Sequence, residues 1–195
     1  MKKSERLYEL VLTRRRVLMA GGALGIAGLI GSPAWVLAAG ETPVRGGILT
    51  TNLLSDPPNL DPLSNSSGRV LQVIAPCYNS LVMLDPLHPD QIIGDLAEDW
   101  SVSDDLLTYT FRLHDGVKFH DGVALTSADV VHTFEVMRNP PEGVVSVRQG
   151  SLETVDSIEA VDPLTVAFRL KRPYPSFLAT LATGWMFVLP KHVLE

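Results

Sequence analysis

Cysteine is nearly absent from this sequence: Cys77 is the only one in 195 residues. An intramolecular disulfide and any multi-thiolate metal centre are therefore excluded. Also missing are Gly-x-Ser-x-Gly, His-Glu-x-x-His and a phosphate-cradling Gly-rich loop, which removes the common signatures of hydrolase, zinc-protease and nucleotide chemistry. The apolar run at residues 17–31, VLMAGGALGIAGLIG, is 15 residues long, too short and too rich in glycine for a stable membrane anchor. Basic residues are scarce beyond the N-terminus. The first 38 residues hold six Lys/Arg and two Glu, leaving 10 basic and 20 acidic residues in the remainder, a net of −10. A surface that acidic repels phosphate backbones, so nucleic acid is not an expected partner.

With 46% hydrophobic residues the chain has enough apolar material for a packed core. Its N-terminus reads as an export signal spanning residues 1–38. The basic segment precedes the apolar run, and Val36 and Ala38 meet the small-residue requirement of a cleavage site. Thr13-Arg14-Arg15-Arg16-Val17-Leu18 resembles the twin-arginine motif of signals that export folded proteins, with Arg14 and Arg15 as the pair. An ordinary secretory signal with a basic leading segment is the plainer alternative. No cysteine follows the apolar run, so the expectation is a product released into the periplasm, without stable membrane insertion once the signal is removed.

The most informative stretch runs from Gly94 to Glu135. Leu107, Tyr109, Phe111 and Leu113 alternate with Thr108, Thr110, Arg112 and His114, the period-two pattern of a half-buried strand. Turn chemistry at Ser103-Asp104-Asp105 and at Asp115-Gly116 predicts pairing with 97–102 on one side and 117–120 on the other, a small meander. Trp100 and Phe111 fall on its inward register. Thr126 with Asp129 three residues later is close to a capping box and predicts a helix to about Arg138, with Val130, Phe134 and Met137 on one stripe. Asn139-Pro140-Pro141 cannot continue it. Elsewhere, residues 45–53 alternate as a strand would, 70–75 show helical spacing ahead of a strand, 157–170 read as a hairpin turning at Asp162-Pro163, 177–181 as a short helix, and 185–189 as a final apolar strand.

The word order LAEDWSVSDDLLTYTFRLHDGVKFHDG followed by LTSADVVHTFE resembles family 5 of the bacterial extracellular solute-binding proteins over a gapless run of about 40 residues. Those proteins are peptide, oligopeptide and nickel-binding components of ABC importers. The resemblance implies an α/β fold of the class II, two-lobed periplasmic binding protein type. Only its N-terminal part is expected here, because the family is longer, with residues 39–195 as that part. It implies capture of a small solute, a peptide first, for delivery to a permease and ATPase complex in the membrane, with no catalysis and no cofactor. Peptides, metal chelates, sugars and opines all remain open as ligands within the family. A periplasmic enzyme, or a ligand-sensing receptor on the same fold, are the rival readings.

For the ligand site the resemblance points to Ser66, Ser67 and Leu71 after the Asn-Leu-Asp-Pro turn, with Thr183 and Trp185 from the other side; Trp185 reads equally well as core. His114 and His120, each followed by Asp-Gly, invite a metal, but His-Asp-Gly is turn chemistry and no metal is expected. His132 reads as surface or as partner of a neighbouring carboxylate, and Cys77 as a small buried residue. Glu98-Asp99 and Asp104-Asp105 are sequence neighbours and cannot face each other for acid/base work.

Overall fold

A computed structural model describes residues 46–48, 50–53 and 55–195. The chain divides into two units, Met1–Thr50 and Thr51–Glu195, and every element named below belongs to the second. The export signal, with Arg14, Arg15 and the cleavage position near Ala38, lies outside the described residues.

The alternation at 107–113 makes β4 (Thr108–Leu113), one of the two inner strands of a four-stranded antiparallel sheet ordered β3-β4-β6-β5, with β3 at Ala97–Val102, β5 at Val155–Asp162 and β6 at Thr165–Leu170. Trp100 pairs with Phe111, and Phe111 with Val166. One face of the sheet is dry. Tyr109, Phe111, Leu113, Val166, Phe168 and Leu170 are buried, while Arg112 and Arg169 on the other face meet Glu98 and Glu159 at 3.5 and 3.7 Å. Those cross-strand pairs are exposed and worth at most about 1 kcal/mol each, so the buried face holds the sheet. A register shift between Ala97 and Asp99 lets both the fully buried Ala97 and the half-buried Trp100 face inward despite their odd spacing.

Across the dry face lies α2 (Ser127–Arg138), packed on β5 and β6. Its stripe is the expected one, with Val130, Phe134 and Met137 wholly buried. Phe168 is the meeting point of the core: the rings of Phe111, Phe134 and Phe177 approach it edge-on at 5.7, 5.1 and 5.7 Å. Asn139 caps the helix and Pro140 ends it. A separate hairpin of β1 (Val82–Leu84) and β2 (Ile92–Gly94) precedes the sheet, and it follows α1 (Gly68–Ile74) and a 3-10 turn at Ala75–Cys77. The chain closes with α3 (Phe177–Leu181) and α4 (Lys191–Leu194).

The capping box forms and does more than start α2. One oxygen of Asp129 accepts the Thr126 N–H and hydroxyl, both at 2.9 Å; the other accepts the Lys191 N–H at 3.0 Å. One turn on, the Thr133 hydroxyl donates to the Leu189 carbonyl at 3.1 Å and accepts the Leu189 N–H at 2.9 Å. Buried side chains of α2 thus satisfy the backbone at Leu189 and at Lys191, where no strand partner is present. Replacing Asp129 by Ala strands three donors. The expected cost is about 3 kcal/mol in chemical denaturation, and Asp129→Asn should recover only part of it, because its single acceptor oxygen cannot serve both Thr126 and Lys191.

Three expected strands do not form. Residues 117–120 make a single bridge, Lys118 to Ala124, because the left-handed turns at Gly116 and Gly122 fold the segment onto itself and β6 already occupies the free edge of β4. Residues 185–189 make one bridge, Phe187 to Ser80; the Val188 N–H goes to the Asn79 carbonyl, and the Leu189 backbone is taken up by Thr133 of α2. At 46–48 and 50–53 the chain is irregular, Gly46 and Gly47 adopt positive φ, and Ile48 is 96% exposed. The hairpin at Asp162-Pro163, the helix at 177–181 and the two His-Asp-Gly turns are as expected. Cys77 is exposed rather than buried, since it ends a 3-10 turn on the surface. His132 is half-buried with Nε2 unpartnered, neither a surface residue nor paired through that nitrogen with a carboxylate. Among the described residues no helix is long and apolar enough to cross a membrane.

Candidate functional site

The loop before α1 is built by short polar side chains closing on their own backbone. Asp61 accepts the Leu63 N–H at 2.8 Å, and Asn65 accepts the Ser67 N–H at 2.7 Å, two Asx turns in succession. The Ser67 carbonyl then accepts from Val70 and Leu71, starting α1. Val70 and Ile74 point inward onto Phe187, forming a small apolar cluster apart from the main core, and Leu71, Tyr78 and Trp185 pack at its margin. That leaves Ser66 exposed and Ser67 and Leu71 half-buried at the rim.

The segment after α3 reaches the same rim. Trp185 donates its N–H to the Thr183 carbonyl at 2.7 Å, a tight turn whose middle residue, Gly184, lies against Leu71; a Cβ built there would sit 3.7 Å from Leu71 Cδ1. Thr183 is exposed, its hydroxyl donating to the Thr180 carbonyl at 2.8 Å. Trp185 is neither wholly core nor free. One side leans on the Val70–Ile74–Phe187 cluster, and its ring carries the Arg148 guanidinium at 4.3 Å from the centroid.

Arg148 ties the two segments together. Its Nη2 donates to the Asn65 carbonyl at 2.7 Å, so Ser67, Asn65, Arg148 and Trp185 form one connected chain of contacts. Its Nε is buried without a partner, and desolvation holds the guanidinium pKa below the usual arginine value. Of the residues named from sequence, Leu71 and Trp185 are thus brought to one cluster, Ser67 is linked to it through Asn65 and Arg148, and Thr183 flanks it. Ser66 stands exposed beside them in the loop. Arg148 was not legible beforehand; a single arginine after the exposed Val144, Val145 and Val147 offers no pattern to separate it from solvated charge.

A second concavity, a cleft of about 310 Å³, opens elsewhere, between Tyr78, Leu96, Phe119, Leu125 and Val188. On its rim His192 Nε2 lies 2.6 Å from Asp121 Oδ2 and edge-on to Phe119, and hydrogen bonding from His192, then from the Val123 N–H, lowers the Asp121 pKa. Cys77 and His120 also line this cleft. Among the described residues no three His, Cys, Asp or Glu side chains are grouped to hold a metal. His114 stands exposed just past the end of β4.

Residues 91–191 match the family described as bacterial extracellular solute-binding proteins, family 5 Middle. The chain is 34% identical over 169 residues to the glutathione-binding protein of Pectobacterium atrosepticum, covering 87% of this chain and 30% of that one. It is 34% identical over 155 residues to the dipeptide-binding protein of Escherichia coli, covering 71% and 29%. Among solved structures, a dipeptide-binding protein from Pseudoalteromonas sp. SM9913 in complex with Met-Leu superposes with a TM-score of 0.64 at 27% identity, over 71% of this chain and 30% of that one. The chain therefore spans under a third of the length of these relatives. The match to residues 91–191 covers the sheet and α2, and the fold built on them is the one these binding proteins share, so the chain belongs to family 5 of the bacterial extracellular solute-binding proteins.

Proposed function

We propose that this chain contributes one wall of the ligand cleft in a periplasmic substrate-binding protein of an ABC importer, with peptides or similar small solutes as cargo. The observation that carries the reading is the connected patch of Ser67, Leu71, Arg148 and Trp185, an apolar rim with a few convergent polar groups, on a chain of this family. Ser66 and Thr183 flank the patch and complete the proposed contact surface. The relatives named as dipeptide- and glutathione-binding proteins support a peptide-sized solute. Residues 1–38 act as a twin-arginine export signal, and 39–195 form the mature portion, delivered to the periplasm and serving a permease and ATPase complex. Binding without turnover is the role, and the patch contains no nucleophile paired with a base.

Backbone NMR of residues 39–195 during titration with a mixed di- to pentapeptide library tests the placement. Shifts should concentrate at 65–71, 148 and 183–185. Shifts confined to the cleft around Phe119 and Leu125 would move the site there instead.

A further inference from the structure

The cleft between Tyr78, Leu96, Phe119, Leu125 and Val188 shares no lining residue with the patch of Ser67, Leu71, Arg148 and Trp185. At about 310 Å³ it lies at the small end of ligand cavities, which run from about 300 to 1,000 Å³, so a ligand filling it is small. Its floor is apolar. Leu96, Leu125 and Val188 are buried there, and Tyr78 and Phe119 are half-buried.

One wall of the cleft carries charges of both signs. Residues 117–125 close on themselves as a tight loop: the Leu125 N–H donates to the Val117 carbonyl, the Phe119 N–H to the Val123 carbonyl and the Gly122 N–H to the Phe119 carbonyl, each at 2.9 Å. This loop holds Lys118 and Asp121, and both line the cleft. Asp121 is fixed in place, Oδ1 accepting the Val123 N–H at 3.0 Å and Oδ2 lying 2.6 Å from His192 Nε2. The same contacts, His192 first, lower its pKa, so it stays a carboxylate through the neutral range. A carboxylate offers about four lone-pair sites, and these two contacts leave room for a further donor. Lys118 is exposed and, among the described residues, pairs with no carboxylate.

An apolar floor alone admits any small hydrophobe, but the rim discriminates. A purely anionic ligand meets Asp121, a purely cationic one meets Lys118, and each like-charge contact costs affinity. A molecule carrying both charges beside an apolar group satisfies all three surfaces. Little ordering is needed on binding, because the loop and Asp121 are already held by hydrogen bonds.

We propose that this cleft is a second binding site, and that it takes a free α-amino acid with a branched apolar side chain. The side chain occupies the floor, the carboxylate faces Lys118 and the ammonium faces Asp121. The inference does not depend on the reading of the patch at Leu71 and Trp185.

The test follows amide and methyl NMR signals of the 195-residue chain during separate titrations with leucine, glycine, isopentylamine and isocaproate. Leucine should shift Phe119, Leu125 and Val188 saturably and bind at least about tenfold more tightly than glycine, as expected for burying a side chain of that size. It should bind about threefold or more tightly than either single-charge analogue, the increment of a partly exposed ion pair. Lys118→Gln should erase the advantage of leucine over isopentylamine; Lys118 is exposed, and the four titrations of the unaltered chain stand whether or not the variant folds well. Equal binding of leucine, isopentylamine and isocaproate would overturn the assignment to an amino acid, since the floor alone would then account for affinity. No shift at these residues from leucine would overturn the site, the outcome expected if the cleft instead seats a segment of protein. Leucine shifts confined to 65–71, 148 and 183–185 would also overturn it, while leaving the solute patch in place.

Discussion

Phe168→Ala should be the most damaging single truncation in the described fold, lowering stability by about 3–5 kcal/mol. Phe168 is fully buried on β6 and pairs across the ladder with Tyr109. Three aromatic rings from β4, α2 and α3 converge on it. Its removal therefore opens a cavity touching every layer of the unit, and edge-on ring pairs worth about 0.5–1.5 kcal/mol each are lost with it. Neighbouring rings cannot collapse into the space without leaving positions fixed by the sheet register and by α2. For a unit of this size the loss is a large share of the usual 5–15 kcal/mol, roughly, of total stability. The thermal midpoint measured by circular dichroism should fall by about 10 °C or more. Phe111→Ala should follow close behind, since Phe111 is also fully buried but meets Phe168 alone among the aromatic pairs. A midpoint unchanged in both variants would contradict the register of β4 against β6.

Loss of export is the second large effect expected. In the frame Thr13-Arg14-Arg15-Arg16-Val17-Leu18 the paired guanidinium groups of Arg14 and Arg15 are what distinguishes the proposed twin-arginine signal from an ordinary secretory one. Lysine keeps the charge but replaces a planar, five-donor fork by a point charge, so a receptor that reads the fork is no longer satisfied. Arg14→Lys with Arg15→Lys should reduce periplasmic material to near background, measured by fractionation and immunoblot, with the uncleaved protein retained inside. An unchanged periplasmic yield would assign export to the general secretory route. Mass spectrometry of the exported product should show cleavage near Ala38; retention of Met1 would rule that cleavage out.

Local signals in the sequence carried most of the fold, and non-local ones carried what was missed. The Thr126–Asp129 capping box and the Val130, Phe134, Met137 stripe depend on neighbours three or four residues apart, and α2 forms where they predict it. The alternation at 107–113 likewise identifies β4 and its buried face. Its second neighbour was not legible, because adjacency in sequence favours 117–120 while the hydrogen-bonding edge is taken by β6, more than fifty residues on. The same applies to 185–189, an apolar run that makes one bridge, to Ser80, and whose Leu189 backbone is satisfied by Thr133 of α2 rather than by a strand. At the site, Leu71 and Trp185 were within reach of the resemblance, whereas Arg148 emerges only from contacts to Asn65 and Trp185 that span 83 and 37 positions in the chain.

Affinity is where a one-walled cleft differs most plainly from a complete site. Ligand sites of this kind bury about 70–90% of their ligand, and the contact patch proposed at Leu71, Arg148 and Trp185 would cover only one side. Calorimetric titration of residues 39–195 with a mixed di- to pentapeptide library is the measurement that decides. The prediction is that no component binds with micromolar affinity, although weak contacts at the patch remain detectable by NMR. Micromolar binding by these residues alone, together with a cooperative melt, would contradict the account and place a self-contained ligand site within them.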